Sequence, residues 1–319
     1  MVKLLNCLIL RRLWAAFLGL VLLSSCQNSF EQKQNSGPVP LCHNKKLMDW
    51  EEGSPLSLQA ATLCIDDTPT YSVGTVGDSI SRAFLADGRL ADAPLLNWSS
   101  GIDLAKTNKE SHLNRLIDLA TSNNFHIRAA NVAVSGARIQ SLPQQVLSLK
   151  SQPRMVYATV LMGINNLCQD DITEAQFLTD FEGRMEASLR LFLDPQHFPT
   201  PPLVLVSSLP DVSQLFSLPA LRDNSQCQVA WNLGCPNWQG AMLASTWASM
   251  NQAISRVVTR INHRHIVYDN GALAGQTFSA SHVSSVDCFH PSQEGQELIS
   301  ETLWNAIDIE NDYRDLIPF

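Results

Sequence analysis

Short runs of apolar, often β-branched residues alternate along this chain with longer stretches whose apolar positions recur at helical spacing. The runs are YSVGTVG from Tyr71, IRAANVAV from Ile127, MVYATVLM from Met155, PLVLVSS from Pro202 and HIVYD from His265. Continuous apolar runs of this length fit strands covered on both faces, as in parallel sheets. The helical stretches span about 110–122, 139–150, 173–194, 239–262 and 292–309. Thr173 ahead of Gln176, and Ser292 ahead of Glu294 and Gly295, are partial capping signals for two of them. Strand and helix in strict alternation imply crossover connections. The expected fold is therefore α/β: a three-layer α/β/α sandwich on a mainly parallel five-stranded sheet, flavodoxin-like in plan.

The N-terminus departs from this pattern. Lys3, Arg11 and Arg12 precede an apolar stretch from Leu13 to Leu23, with small residues before Cys26, the layout of a secretion signal. The stretch is shorter than the roughly 20 residues a membrane span needs, which favours cleavage over retention. Leu23-Ser24-Ser25-Cys26 resembles a bacterial lipoprotein box, which implies acylation of Cys26. Two or three acyl chains anchor a protein stably where one does not. Gln27 in place of an acid resembles lipoproteins of the outer membrane. The expected location is thus the bacterial cell envelope, lipid-anchored, with simple secretion as the alternative. The expected division is a signal peptide at 1–25, a lipidated polar tether at 26–40, a cysteine-bearing arm with little regular structure at 41–69, and the folded α/β domain at 70–319.

Losing the signal's three cations takes the net charge from −8 to −11, which argues against nucleic acid as a partner. A monomer is expected. Cys42, Cys64, Cys168, Cys227, Cys235 and Cys288 remain after removal of Cys7 and the acylated Cys26. An even number in an exported chain suggests disulfides. Proximity in sequence favours Cys42 with Cys64 and Cys227 with Cys235, leaving Cys168 with Cys288, although sequence alone permits other pairings. No C-x-x-C or H-x-x-x-H spacing points to a metal.

Four segments carry candidate chemistry. Gly77-Asp78-Ser79 closes the first strand, and Asp287-Cys288-Phe289-His290 precedes the last helix. A serine hydroxyl needs an imidazole to take its proton, and the imidazole needs a carboxylate to fix its tautomer. Gly163-Ile164-Asn165-Asn166 and Ser135-Gly136 follow two further strands, where a side-chain amide and an unobstructed backbone N–H suit an oxyanion. Taken singly, each segment is ordinary: Gly, Asp and Ser fill turns, Gly136 suits a plain strand-to-helix turn, and Asn165 suits a loop cap. All four fall at the sheet edge where α/β proteins bind ligands.

In order and spacing these segments resemble the four sequence blocks of the SGNH hydrolases, or GDSL lipases and esterases. Cys168 and Cys288 beside the third and fourth blocks look most like the phospholipase B-like branch. The resemblance implies Ser79 as nucleophile, His290 as base and later acid, and Asp287 as its orienter. Ser79 N–H, Gly136 N–H and the Asn165 amide would form the oxyanion hole. No cofactor is implied, and the substrates would be lipid esters, with carbohydrate esters, O-acyl transfer or non-catalytic envelope binding as alternatives. Two departures stand out: Asn166 occupies a place usually held by Asp, and Ile80 one usually held by Leu. Trp98, Trp231 and Trp238 fall in expected loops, as acyl-groove or packing residues. The segment from Leu209 to Asn237 reads as a disulfide-braced flap.

Overall fold

The five apolar runs become five parallel strands of one sheet, joined at its edge by a sixth. In chain order the strands are β1 (Leu47–Glu52), β2 (Thr70–Gly77), β3 (His126–Asn131), β4 (Met155–Leu161), β5 (Leu203–Val206) and β6 (Ile266–Tyr268). Their order in the sheet is β1-β3-β2-β4-β5-β6, with every pairing parallel. The computed structural model describes residues 47–52, 69–104, 109–119, 125–169, 175–236 and 243–317. The signal segment, the tether with Cys26, most of the arm with Cys42 and Cys64, Thr173 and Trp238 lie outside the described residues.

The arm differs from expectation, because residues expected to carry little regular structure include β1. It pairs with β3 in register from Leu47 opposite His126 to Glu52 opposite Asn131. Asp49, Glu51 and Glu52 hide the strand from a propensity reading. An edge strand tolerates such residues. β4 and β5, by contrast, are buried along their whole length, the burial their unbroken apolar sequences imply.

The helices are α1 (His112–Leu119), α2 (Leu142–Leu149), α3 (Ile164–Gln169), α4 (Ala175–Leu191), α5 (Ser213–Ser217), α6 (Pro219–Arg222), α7 (Ser225–Gly234), α8 (Leu243–Ile261), α9 (Gln293–Asn305) and α10 (Ile309–Asp312). α2, α4 and α8 pack side by side, with Arg260 of α8 bonded to Glu182 of α4 at 2.8 Å. α1 and α9 meet through His112, whose Nε2 lies 3.0 Å from the Ser300 carbonyl, and whose ring meets Trp304 edge-on. The core includes Val76, Tyr157, Val160, Leu205, Phe181 and Ile254, all essentially inaccessible to solvent. The flap differs from a plain loop, since α5, α6 and α7 occupy it.

From β2 the chain steps to β3 on one side, then crosses to β4 on the other. The crossover direction reverses there, and the strand ends beside the reversal leave a crevice where α/β proteins bind ligands. Ser79 follows β2 and Asn165 follows β4, so both fall at this crevice.

Candidate active site

The turn after β2 is held from beneath. Gly77 has φ +154°, and a Cβ there would come within 2.4 Å of the Leu161 carbonyl, so only glycine lets β2 run this close to β4. The Gln145 side chain of α2 closes on the same residue, accepting from Gly77 N at 2.7 Å and donating to Gly77 O at 2.9 Å. Asp78 is fully buried, and its Oδ1 accepts from Ile80 N at 3.0 Å, which curls the chain at the serine. Burial pushes the Asp78 carboxyl up to about 6, offset in part by backbone donors and by His290.

Asp287 and His290 arrive on one loop. Asp287 Oδ1 accepts from both Phe289 N, at 3.0 Å, and His290 N, at 3.1 Å. Its Oδ2 is thereby aimed at His290 Nδ1, 2.5 Å away. His290 Nε2 lies 2.8 Å from Ser79 Oγ, so the three groups form an unbroken hydrogen-bonded relay. Phe84 and Phe289 set their rings nearly perpendicular to the imidazole, at centroid distances of 4.9 and 5.3 Å, and restrict its rotation. Ser292 caps α9 by accepting from Gly295 N at 3.2 Å, which ends the loop just past the histidine.

Gly136 and Asn165 line the same cavity as Ser79 and His290. Gly136 has φ +80°, a backbone conformation that glycine adopts without strain. Among the described residues, neither Ser79 N–H nor Gly136 N–H has a protein acceptor. Asn165 Nδ2 donates one hydrogen to the Ala137 carbonyl at 3.0 Å, and an amide nitrogen carries a second. Asn166, the departure noted in the sequence, is fully buried, and its Oδ1 accepts from Ile139 N at 2.9 Å. A neutral amide meets that donor as a carboxylate would, without burying a charge.

Two of the pairings expected from proximity, Cys227 with Cys235 and Cys168 with Cys288, are overturned, while Cys42 with Cys64 lies outside the described residues. Cys168 joins Cys235, and Cys227 joins Cys288. Cys227 sits in the first turn of α7 and Cys235 just past its end, a separation of about 12 Å at helical rise. That exceeds the span of a disulfide. Instead, one bond ties the flap to α3, beside Asn165, and the other ties it to the loop between Asp287 and His290. Trp231 Nε1 adds a hydrogen bond to the Cys288 carbonyl at 3.1 Å.

The flap thus walls a cavity of about 240 Å³ over Ser79, with Phe84, Trp231 and Phe289 as its aromatic sides. Trp231 therefore lines the cavity. Trp98 does not: it is buried in the core, edge-on to His112. Gln145 and Phe84 were not singled out from the sequence. A glutamine on an amphipathic helix and a phenylalanine in a turn carry no local signature of their role.

A profile of GDSL-like lipases and acylhydrolases matches residues 73–303. No curated protein matches the chain. Among solved structures, the chain is similar to an alpha/beta hydrolase enzyme from the metagenome of Lake Arreo, at 19% identity and TM-score 0.44, covering 74% of this chain and 94% of that one. It is also similar to an acetylxylan esterase from Geobacillus stearothermophilus, at 17% identity and TM-score 0.44, covering 75% and 94%. A protein of the G-D-S-L family from Desulfitobacterium hafniense shows 13% identity and TM-score 0.44 over 74% and 99%.

Proposed function

The chain belongs to the GDSL-like lipase/acylhydrolase family, a family of serine ester hydrolases, and from that premise we propose that it cleaves carboxylic esters of apolar acyl groups, lipid esters foremost, through an acyl-enzyme on Ser79. The observation that carries this reading is the relay from Ser79 Oγ through His290 to Asp287 at 2.8 and 2.5 Å. His290 Nε2 takes the hydroxyl proton as Oγ attacks the carbonyl carbon. Ser79 N–H, Gly136 N–H and the Asn165 amide receive the tetrahedral oxyanion. His290 then protonates the departing alcohol, and water reverses the sequence to free the acid and restore the serine. Phe84, Trp231 and Phe289 around the cavity support an apolar acyl group. Its volume falls below the usual range for drug-sized ligands, roughly 300–1,000 Å³, and suits the acyl part of a substrate alone.

The test is hydrolysis of short-chain and long-chain p-nitrophenyl esters, lysophospholipid and acetylated sugar by protein starting at Gln27, beside its Ser79→Ala variant. Serine-dependent release of fatty acid supports the reading. Undiminished turnover by the variant sinks it, and preference for the acetylated sugar moves the assignment to carbohydrate esters. The phospholipase B-like branch rests on Cys168 and Cys288 beside the site blocks. Location at the bacterial envelope through acylated Cys26 rests on the N-terminal sequence. For that proposal, Cys26→Ser is expected to move the protein out of the membrane fraction, and an unchanged fraction refutes it. Among the described residues no helix is long and apolar enough to cross a membrane.

A further inference from the structure

Ser79 N–H and Gly136 N–H come from different strand ends, yet both must reach one oxygen. Ser79 follows β2 and Gly136 follows β3, and an oxyanion gains from both donors only if each stands about 2.7–3.1 Å from it. Their spacing has to be set. Gly136 cannot set it alone, because the residue is exposed, has φ +80° and faces open space where a Cβ would sit.

The preceding side chain supplies a tie. Ser135 Oγ donates to Asp92 Oδ1 at 2.5 Å, and Asp92 Oδ2 accepts from Arg82 Nε at 3.0 Å. Arg82 belongs to the nucleophile's own turn, where its backbone N donates to the Asp78 carbonyl at 3.0 Å and the Ser79 carbonyl at 3.2 Å. A hydrogen bond and an ion pair in series therefore run from the turn that carries Ser79 to the residue before Gly136. Arg82 is buried, so this connection is anchored inside the protein. Its Nη1 also reaches the Asn131 carbonyl at 3.4 Å, and Asn131 Nδ2 returns to the Ser81 carbonyl at 2.8 Å, which ties the end of β3 to the same turn. The segment leading to Gly136 is thus held at both ends.

Ser135 borders the catalytic cavity, but its hydroxyl carries a single hydrogen. That hydrogen is committed to a carboxylate, and charge makes the bond strong. Ser135 is therefore not a fourth donor to the oxyanion.

We propose that Arg82, Asp92 and Ser135 form a positioning brace for the oxyanion hole, which holds Gly136 N–H at its working distance from Ser79 N–H. The inference rests on the hydrolase reading of Ser79. It adds three residues that act through Gly136 without touching the reacting atoms.

Ser135→Ala tests it, since the change removes the link to the loop and leaves Arg82 paired with Asp92. On p-nitrophenyl butyrate, kcat should fall about 30-fold with KM within about twofold, the mark of a donor displaced instead of deleted. A trifluoromethyl ketone gives a second readout: Ser79 Oγ adds to its carbonyl carbon, the hydroxyl proton passes to His290, and the oxyanion stays in the hole. Its inhibition constant should rise by the factor that kcat/KM falls. Asp92→Ala cuts the same brace, so the double variant should be no slower than Asp92→Ala alone. Ser135→Ala decides the matter even where an unpaired buried Arg82 costs Asp92→Ala its fold. A Ser135→Ala kcat within about twofold of wild type overturns the brace, as does a loss confined to KM or an unchanged inhibition constant. Losses that multiply in the double variant overturn it too, because they give the two side chains separate tasks. Wild-type protein inert on the ester defeats the hydrolase reading itself, and this one with it.

Discussion

Replacing Asp287 with Asn tests the relay at its least visible member. Asp287 Oδ1 accepts from two backbone donors, Phe289 N and His290 N. In the amide, the oxygen must keep that side, because turning it would set an NH2 group against both N–H groups. The NH2 therefore faces His290 Nδ1, where Oδ2 now stands at 2.5 Å. A donor there makes Nδ1 the acceptor and moves the ring proton to Nε2. Nε2 is the atom that must accept from Ser79 Oγ, 2.8 Å away. The wrong tautomer leaves the serine without a base, while packing and loop geometry stay unchanged. The expected loss in kcat is about 10⁴-fold, or ~5 kcal/mol of transition-state stabilisation. Steady-state kinetics on p-nitrophenyl butyrate, with near-ultraviolet circular dichroism to verify the fold, provide the assay. A loss of less than about tenfold would refute the tautomer argument, because a carboxylate that merely braced the loop would be replaced by the amide at little cost.

Asn165→Ala removes one oxyanion donor and should lower kcat by about 10²–10³-fold with KM little changed; a change confined to KM would assign the amide to substrate binding. Cys227→Ser with Cys288→Ser frees the catalytic loop from the flap across a separation of 61 residues. It should cost about 2–4 kcal/mol in denaturant unfolding and lower kcat as well, whereas intact kcat would show that the flap does not hold the histidine. His112 is buried against Tyr157 and the Ser300 carbonyl, and burial lowers its pKa to about 3 from 6.5. The unfolded state then binds the extra proton throughout that window, so stability rises with pH from about 3 to 6.5. Between pH 7 and pH 4 the protein should lose ~3 kcal/mol more than His112→Gln does, and parallel stability curves would contradict this.

Much of this was legible because a few residues carry a strong local requirement. Val160 and Leu205 announce buried strands by their neighbours, and Gly77-Asp78-Ser79 announces the turn that closes β2. Asp287 and His290, three apart before a capping serine, place acid and base on one loop by sequence alone. β1 was not legible, since its pairing with β3 comes from a tertiary contact and its acids argue locally against a strand. The partners of Cys227 and Cys168 were not legible, because a helix between Cys227 and Cys235 sets neighbours along the chain apart in space. Gln145 escaped notice for a related reason: its partner, Gly77, lies 68 residues away, on β2.

The central claim is that the acyl group passes through Ser79 Oγ, and covalent capture tests it most directly. A fluorophosphonate forms a stable adduct only with an activated serine, and mass spectrometry of the digested protein locates it. The account predicts one adduct per chain, on the peptide carrying Ser79, abolished in Ser79→Ala and slowed strongly in Asp287→Asn. An unlabelled protein, or a label that persists in Ser79→Ala, would contradict it.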